Sequence, residues 1–460
     1  MHPGDLQQNV VSPASKADFG AGFVWGCSTS AFQIEGGVAE GGRVESIWDR
    51  FCRQPGAIRD GADADVACDH YHLWQRDLDL AVSLGVTAYR FSIAWPRIYG
   101  AGAEPNQAGL DFYSELVDGM LARGLQPWAT LYHWDLPQVL QERGGWAARD
   151  TIAAFARFTD QVTRRLGDRV KHWITHNEPW CTAFHGNLDG QHAPGLRDLA
   201  TAIQVSHNVL VSHGRAVQVI RANVPTALTG ITLSLHPLRP ATDSAADRAA
   251  CMRHDGLRNR WFLDPLYGRG YPAETVAALG RAAPHVAPGD MDLIAAATDF
   301  LGVNYYFPEV VSDAPGEGAL GLRIVAPSGV ERTAFEWEVN PGAMVTLLAR
   351  IHADYTPGPI YLTENGSSYE DVIDADGRID DVERRSYLQR HLAALHQALR
   401  QGVPVKGYFY WSLLDNFEWA EGYARRFGLA HVDFQTQERR LKTSGEWFQA
   451  FLAQQTKFQE

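Results

Sequence analysis

Two glutamates in short polar motifs could together carry acid–base and nucleophilic chemistry. Glu178 lies in THNEP and Glu364 lies in YLTENG, and each motif ends an apolar run typical of a buried strand. Cleavage of a glycosidic bond needs two carboxyl groups, one to protonate the leaving oxygen and one to act at the anomeric carbon. Either glutamate alone could be a solvated loop residue, whereas two at strand ends in separate repeats favour a catalytic pair. A separation of about 5 Å would indicate retention and one of about 6.5–9.5 Å inversion, and both outcomes stay open here.

Two further side chains fit this chemistry. The amide of Asn177, next to Glu178, could bond a sugar 2-hydroxyl, an interaction that strengthens in the transition state. Arg90, toward the end of the second predicted strand, VTAYRFSI, would hold a neighbouring carboxylate ionised, as a nucleophile requires. Pairing with a structural Asp or Glu is an equally good explanation of Arg90.

A repeated unit positions these residues: an amphipathic helix, a glycine and a short apolar strand. Gly85, Gly124, Gly167 and Gly402 each stand between a helical stripe of apolar residues and the next strand. A glycine there can take the left-handed conformation that ends a helix. The predicted strands are FVWGCSTS, VTAYRFSI, LQPWATLY, HWITHNE, ALTGITLSL, FLGVNYY, IYLTEN and VPVKGYFYWSL.

Alternation of strands and helices over nearly the whole chain predicts the α/β class with a parallel sheet. About eight units favour closure into a (β/α)8 TIM barrel. The rival is a doubly wound open sheet, which is less favoured because no G-x-G-x-x-G follows the first strand. We expect one domain over residues 18–455, a loose extension over residues 1–17, and elaborated βα loops near 36–70 and 307–345.

Active sites of such barrels lie at the carboxyl ends of the strands. Polar and aromatic side chains are concentrated there and should converge on one axis: Gln33, Glu35, Arg90, His133, Trp134, Asn177, Glu178, Asn304, Tyr306, Glu364, Asn365 and Trp411.

The chain also resembles glycoside hydrolase family 1, the β-glucosidase family, over essentially residues 18–455. The matching blocks are FVWGCSTSAFQIEG, YRFSIAWPRI, LYHWDLPQVL, THNEPW, DFLGVNYY, YLTENG and GYFYWSLLDNFEWAEGYARRFGL. Their order along the strand–helix repeat makes the resemblance specific.

The resemblance implies a role for individual residues. Glu178 matches the acid/base and Glu364 the nucleophile. Arg90, Tyr306 and Asn304 match the nucleophile's surroundings. The residues that match the substrate-binding positions are Gln33, His133, Trp134, Asn177, Tyr306, Trp337, Trp411, Glu418, Trp419 and Phe427. Among them, Trp411 matches the platform beneath the sugar and Trp337 the aglycone entrance, although the block around Trp337 departs from the family's usual form. Cys181 and His185, just after the acid/base, lie where family members differ.

The resemblance implies double displacement on terminal β-D-glucosyl residues of aryl or alkyl glucosides, cellobiose or short cello-oligosaccharides. β-Fucosidase, β-galactosidase and transglycosylation side activities would be compatible with it. Glu418 would accept hydrogen bonds from a neutral sugar and repel a 6-phosphate. The alternatives are a 6-phospho-β-glycosidase, an inactive sugar-binding homologue, and an unrelated isomerase barrel, which would need phosphate-binding glycines where DNFEW stands.

Composition limits the partners. Lys+Arg 41 against Asp+Glu 54 gives a net charge of −13, which argues against binding nucleic acid. No run reaches the roughly 18 apolar residues of a membrane span, and the amino terminus lacks a secretory pattern. A cytoplasmic protein acting on a small glycoside is therefore expected. The five cysteines are scattered, with no C-x-x-C, so neither disulfides nor a metal site are predicted, and the chemistry requires no cofactor. The sequence implies no oligomeric state.

Overall fold

Eight parallel strands form a closed barrel in the computed structural model, which describes residues 14–99 and 104–454. Each strand pairs with its neighbours in chain order, and the first pairs with the last. This closure confirms the TIM barrel and rules out the doubly wound sheet. The strands are β1 Val24–Ser28, β2 Ala88–Ser92, β3 Gln126–Tyr132, β4 His172–Asn177, β5 Leu228–Ser234, β6 Phe300–Asn304, β7 Ile360–Asn365 and β8 Val405–Trp411.

A helix follows each strand and covers the outside of the barrel. Ile152, Phe155, Phe158 and Val162 are buried at helical spacing on one face of the third such helix, so their burial against the sheet stabilises the helix. The helices are α1 His70–Ser83, α2 Gln107–Ala122, α3 Asp150–Leu166, α4 Leu199–Asn223, α5 Ala245–Asp255, α6 Pro341–Tyr355, α7 Val382–Arg400 and α8 Thr443–Leu452.

The amino-terminal end of the barrel is filled by aromatic rings. Trp128 stacks on His172 at 4.2 Å and meets the rings of Phe300 and Phe409 at 5.3 and 5.0 Å. Gly26 makes room for this layer, because a Cβ atom there would lie 2.3 Å from the Phe409 ring. Because these rings fill the amino-terminal end, the carboxyl end of the barrel is the side on which a substrate can enter.

The long connections contain structure of their own. The segment 307–345, predicted as a loop, holds strands Glu309–Asp313 and Leu322–Val325, which form a small sheet with Leu238–Pro240. Residues 36–70 include the helix Ile47–Cys52. The other short elements are strands Ala430–Val432 and Arg439–Leu441, helices Ala31–Ile34, Trp95–Ile98, Gln138–Gln141, Trp261–Leu266, Ala273–Leu279 and Asp290–Ile294, and π-helical turns Cys181–His185 and Gly256–Arg260.

Part of the predicted amino-terminal extension can be placed. Residues 1–13 lie outside the described part of the chain. Lys16 Nζ donates to the carbonyl oxygen of Leu452 at 2.7 Å, and the buried Phe19 meets Trp25 at 4.9 Å. The amino-terminal segment from Lys16 thus contacts the carboxyl-terminal helix. Within the described ranges, no helix combines the length and apolarity needed to cross a membrane.

Candidate active site

Glu178 and Glu364 lie where the strand pairing becomes irregular. The register between β4 and β5 shifts between Ile174 and Asn177, and that between β7 and β6 shifts between Leu362 and Glu364. Such bulges re-aim side chains at strand ends. Glu178 has a φ of 45°, a left-handed conformation that non-glycine residues seldom adopt and that is concentrated at functional sites. Both glutamates are buried, with 6% and 4% of their surface exposed.

One hydrogen-bond network joins the two carboxylates. Arg90 donates to Glu364 Oε1 at 2.5 Å and to Asn177 Oδ1 at 2.7 Å. Asn304 Nδ2 reaches the same Asn177 oxygen at 3.2 Å and donates to Glu178 Oε1 at 2.8 Å. Side chains of four different strands or strand ends therefore position the two acids relative to each other.

The donors around Glu364 are strong ones. Arg90 bonds one carboxylate oxygen, and the Tyr306 hydroxyl donates to the other, Oε2, at 2.7 Å. Burial raises the pKa of Glu364 to about 7, and the charge of Glu178 adds to this rise, whereas Arg90 and Tyr306 lower the pKa. The donors thus oppose the cost of burying the ionised form.

The partners of Glu178 are neutral. Asn304 bonds Oε1, and Cys181 Sγ donates to Oε2 at 3.0 Å. The sequence analysis assigned Asn304 to the surroundings of the nucleophile. Asn304 lies opposite Glu364 in the β6–β7 ladder, and its side-chain amide donates to Glu178, so it adjoins both glutamates.

A second hydrogen-bond network surrounds Glu418, in the loop after β8. Gln33 Nε2 donates to Asn416 Oδ1 at 3.0 Å, to the Phe417 carbonyl oxygen at 2.9 Å and to Glu418 Oε2 at 3.4 Å. Burial raises the pKa of Glu418 to about 8, and the charges of Glu364 and Glu178 contribute to this rise. The arrangement offers carboxylate and amide groups that could bind sugar hydroxyls.

His133 contacts Asn177 of the carboxylate network and is neutral. Burial holds its pKa well below the usual value, and the Arg90 charge acts in the same direction. Its Nε2 accepts from Asn177 Nδ2 at 3.0 Å, which puts the imidazole proton on Nδ1, an atom with no hydrogen-bond partner among the described residues. Trp134, also predicted to bind substrate, donates its indole N–H to the Asn177 carbonyl oxygen at 2.9 Å.

Aromatic rings surround this polar centre. Trp411 and Trp419 are nearly parallel to the His133 ring, each at 5.9 Å, and both are buried. Trp419 also contacts the Trp134 ring at 4.5 Å. Broad apolar faces beside polar groups suit sugar rings, whose C–H faces are apolar.

A separate aromatic cluster lies beside Tyr306. Trp337 packs against Phe335 at 4.5 Å and Phe307 at 4.8 Å in stacked arrangements, and against Phe427 at 6.1 Å. Trp337 and Phe427 were among the predicted substrate-binding residues, whereas Phe335 and Phe307 were missed. The recurrence of aromatic residues in FEW and YYF was the available signal, but only the folded chain brings the two segments together.

Two direct contacts of the site were also missed. The sequence analysis noted Cys181 only as a variable position, yet it contacts Glu178. Thr363 Oγ1 donates to Asn304 Oδ1 at 2.8 Å. Their proximity in sequence to Glu178 and Glu364 was the only available clue. The described part of the chain contains no group of three or more His, Cys, Asp or Glu that could hold a metal ion.

Known proteins share this architecture. The family model described as Glycosyl hydrolase family 1 matches residues 15–457. A β-glucosidase from Agrobacterium sp. is 45% identical over 441 residues, which is 95% of this chain and 96% of the relative. A bifunctional β-D-glucosidase/β-D-fucosidase from Bifidobacterium breve is 40% identical over 459 residues, covering 95% of this chain and 98% of the relative.

The solved structures agree with the sequence relatives. A β-glucosidase from Thermotoga maritima in complex with deoxynojirimycin superposes with a TM-score of 0.91 at 42% identity, covering 94% of this chain and 98% of that one. The family resemblance inferred from the sequence blocks is thereby confirmed. The chain belongs to glycosyl hydrolase family 1, and it is a β-glucosidase of that family.

Proposed function

We propose that this β-glucosidase hydrolyses terminal non-reducing β-D-glucosyl residues with retention, through a covalent glycosyl-enzyme. Glu364 is the nucleophile and Glu178 the acid/base. The observation that carries this assignment is the difference between their partners. Glu364 is bonded by the Arg90 guanidinium and the Tyr306 hydroxyl, whereas Glu178 is bonded by an amide and a thiol. A cation and a strong donor favour an ionised nucleophile, and neutral partners suit a group that gains and loses a proton.

In the first step, a Glu364 oxygen attacks the anomeric carbon while Glu178 gives its proton to the departing glycosidic oxygen. The glycosidic bond breaks and an ester to Glu364 forms. Esterification removes the charge of Glu364. Glu178 then has one negative neighbour fewer, so its ionised form is more stable. In the second step, Glu178 takes a proton from water as the water oxygen displaces Glu364. A sugar hydroxyl in place of water would give transglycosylation.

The substrates we propose are neutral β-glucosides: aryl and alkyl glucosides, cellobiose and short cello-oligosaccharides. Glu418 can accept hydrogen bonds from sugar hydroxyls, and its ionised form would repel a 6-phosphate. The deoxynojirimycin complex of the Thermotoga maritima relative is consistent with a sugar-sized ligand. The name of the Bifidobacterium breve relative supports a β-fucosidase side activity, and we include β-galactosides as weaker substrates. Paired assays of a β-glucoside and its 6-phosphate would test the charge argument, which fails if the phosphorylated substrate is preferred.

Two substitutions test the roles of the glutamates. Glu364→Ala should lower turnover by roughly 10⁴-fold or more, because the ester cannot form. Glu178→Ala should slow substrates with poor leaving groups most, and azide should partly restore activity and yield a β-glycosyl azide. The exposed Glu438, whose side chain is 66% accessible, provides a control: Glu438→Ala should retain wild-type turnover. Substantial activity of Glu364→Ala, or equal loss for all leaving groups without azide rescue in Glu178→Ala, would contradict the assignment.

A further inference from the structure

The two oxygens of Glu178 have partners with different abilities to handle a proton. Oε1 accepts from Asn304 Nδ2 at 2.8 Å, and Oε2 lies 3.0 Å from Cys181 Sγ. An amide nitrogen can only donate, whereas a thiol is both a weak donor and a weak acceptor. If Glu178 is the acid/base proposed above, this asymmetry decides which oxygen exchanges the proton.

The amide side is locked in orientation. Thr363 Oγ1 donates to Asn304 Oδ1 at 2.8 Å, so the amide oxygen faces the hydroxyl and the nitrogen faces Glu178. The nitrogen also reaches Asn177 Oδ1, an acceptor fixed by Arg90 Nη2 at 2.7 Å. Rotation of the amide would place Asn304 Oδ1 against two acceptors, Asn177 Oδ1 and Glu178 Oε1, and would lose the bond from Thr363. Oε1 therefore faces a permanent donor in every protonation state of Glu178.

The thiol side can adapt. Cys181 begins the π-helical turn Cys181–His185, and its backbone N–H donates to the Glu178 carbonyl oxygen at 3.0 Å. The side chain is buried, with 8% of the residue exposed. Burial raises the pKa of the Cys181 thiol well above its usual value, and the Glu178 charge adds to this, so the sulfur keeps its proton. The S–H bond can point at an ionised carboxylate or turn away from a protonated one.

We propose that Glu178 exchanges its proton through Oε2. Asn304 prevents Oε1 from carrying the proton, and Cys181 is a positioning residue whose thiol tolerates both protonation states of Glu178. A hydroxyl at residue 181 would bond the ionised form of Glu178 more strongly, so Glu178 would hold its proton less tightly. A methyl group there would give the ionised form one donor fewer. As a hydrogen-bond donor, the thiol is weaker than a hydroxyl and stronger than a methyl group. This intermediate strength suits Glu178, which is protonated in one half-reaction and ionised in the other.

Other titratable and charged groups act on Glu178 from the surrounding elements. Glu364 from β7 and Glu418 from the loop after β8 are neighbouring carboxyl groups, and Tyr306, after β6, is a third nearby titratable group. Arg258, from the π-helical turn Gly256–Arg260, is a buried cation held by the Ser234 carbonyl and hydroxyl oxygens at 2.9 and 3.0 Å. Substitution of Cys181 leaves all of these groups in place, so a change in the pH profile would report on the thiol contact.

Cys181→Ser and Cys181→Ala test the proposal in the full-length enzyme. The measurement is the pH profile of kcat/KM on aryl β-glucosides with good and poor leaving groups, together with the unfolding temperature. The alkaline midpoint should move down by about 0.5–1 pH unit in Cys181→Ser and up by about 0.5 in Cys181→Ala. The acid limb, which follows Glu364, should stay. Cys52→Ala is the matched control, because Cys52 is equally buried at 8% exposure, and this variant should leave both limbs unchanged.

The outcomes separate this proposal from the one on which it rests. Shifts of opposite sign in the two Cys181 variants support it, even if one variant also unfolds at lower temperature. Unshifted midpoints, shifts of the same sign, or an equal shift in Cys52→Ala would overturn it. If Glu178→Ala is rescued by azide while the Cys181 midpoints do not move, the acid/base assignment stands and the positioning role fails. Absence of azide rescue would mean that the acid/base assignment itself fails.

Discussion

The contact between Tyr306 and Glu364 makes a quantitative prediction about pH dependence. The phenol donates to Glu364 Oε2 at 2.7 Å. Burial raises the pKa of Tyr306 well above its usual value, and the Glu364 charge adds to this, so the hydroxyl stays a donor over the working range. A hydrogen bond to a charged group contributes about 1.5–3 kcal/mol. At 1.36 kcal/mol per pH unit, its loss in Tyr306→Phe would raise the pKa of Glu364 by about 1–2.

The direction follows from the proposed role of ionised Glu364 as the nucleophile. The Glu364 pKa of about 7 predicts that activity falls on acidification, and removal of a donor moves this acid limb to higher pH. We expect a shift of about 1 pH unit, at the low end because Arg90 remains and Tyr306 is only half-buried. In kcat/KM profiles from pH 4.5 to 9, the loss should be about 10-fold larger at pH 6 than on the alkaline side.

Tyr305→Phe is the matched control for this experiment. Tyr305 is adjacent in sequence and fully buried, but its hydroxyl donates to the Asn340 carbonyl oxygen at 2.5 Å rather than to a carboxylate. Its loss should cost about 1 kcal/mol of stability and leave the acid midpoint in place. An unshifted midpoint in Tyr306→Phe, or the same shift in both variants, would refute the argument that this hydroxyl stabilises the ionised nucleophile.

Two further predictions concern stability. Because the pKa of Glu418 is raised to about 8, the folded protein holds a proton there that the unfolded chain releases, so stability falls as pH rises from about 4.5 through 8. A shift from about 4.5 to about 8 corresponds to about 5 kcal/mol at 1.36 kcal/mol per pH unit. Glu418→Gln should therefore match the wild type near pH 4.5 and be more stable by roughly 4–5 kcal/mol at pH 9 in urea unfolding, and a constant difference would contradict this. Lys442 is buried between Asp371 at 2.5 Å and Asp415 at 2.7 Å. Lys442→Met should lower the free energy of unfolding by about 3–5 kcal/mol. The exposed pair of Arg323 is the control, since Arg323→Met should cost less than about 1 kcal/mol, and equal losses would refute the distinction.

The barrel could be predicted because its signals are local and repeated. IYLTEN coincides with the observed strand Ile360–Asn365, and HWITHNE extends one residue beyond His172–Asn177. Apolar runs of strand length, glycines at helix ends and amphipathic helices each depend on residues close in sequence. The segment 307–345 was described only as a loop because its strands Glu309–Asp313 and Leu322–Val325 are short and pair partly with Leu238–Pro240, a partner far away in the chain.

Candidate site residues could be selected from the sequence, but not their contacts. The orientation of Asn304 depends on a hydroxyl from β7 and a carboxylate after β4, and no spacing along one strand specifies that choice. The stack of Phe307, Trp337 and Phe335 likewise joins two turns of the same long connection. The contacts of Asn304 arise from closure of the barrel, which brings the ends of different strands together, whereas the aromatic stack arises from folding of the connection itself.

The proposed division of labour between two chemically identical side chains follows from that closure. Glu178 and Glu364 occupy corresponding strand ends, and their motifs, NEP and TEN, do not by themselves show which is acid and which is nucleophile. The guanidinium of Arg90 can bond only one of the two carboxylates directly, and its other branch is taken by Asn177. The carboxylate next to the cation is stabilised when ionised, and the other is left with partners that accept a change of protonation. Arg90 on β2, together with Tyr306 after β6, therefore makes the two acids unequal.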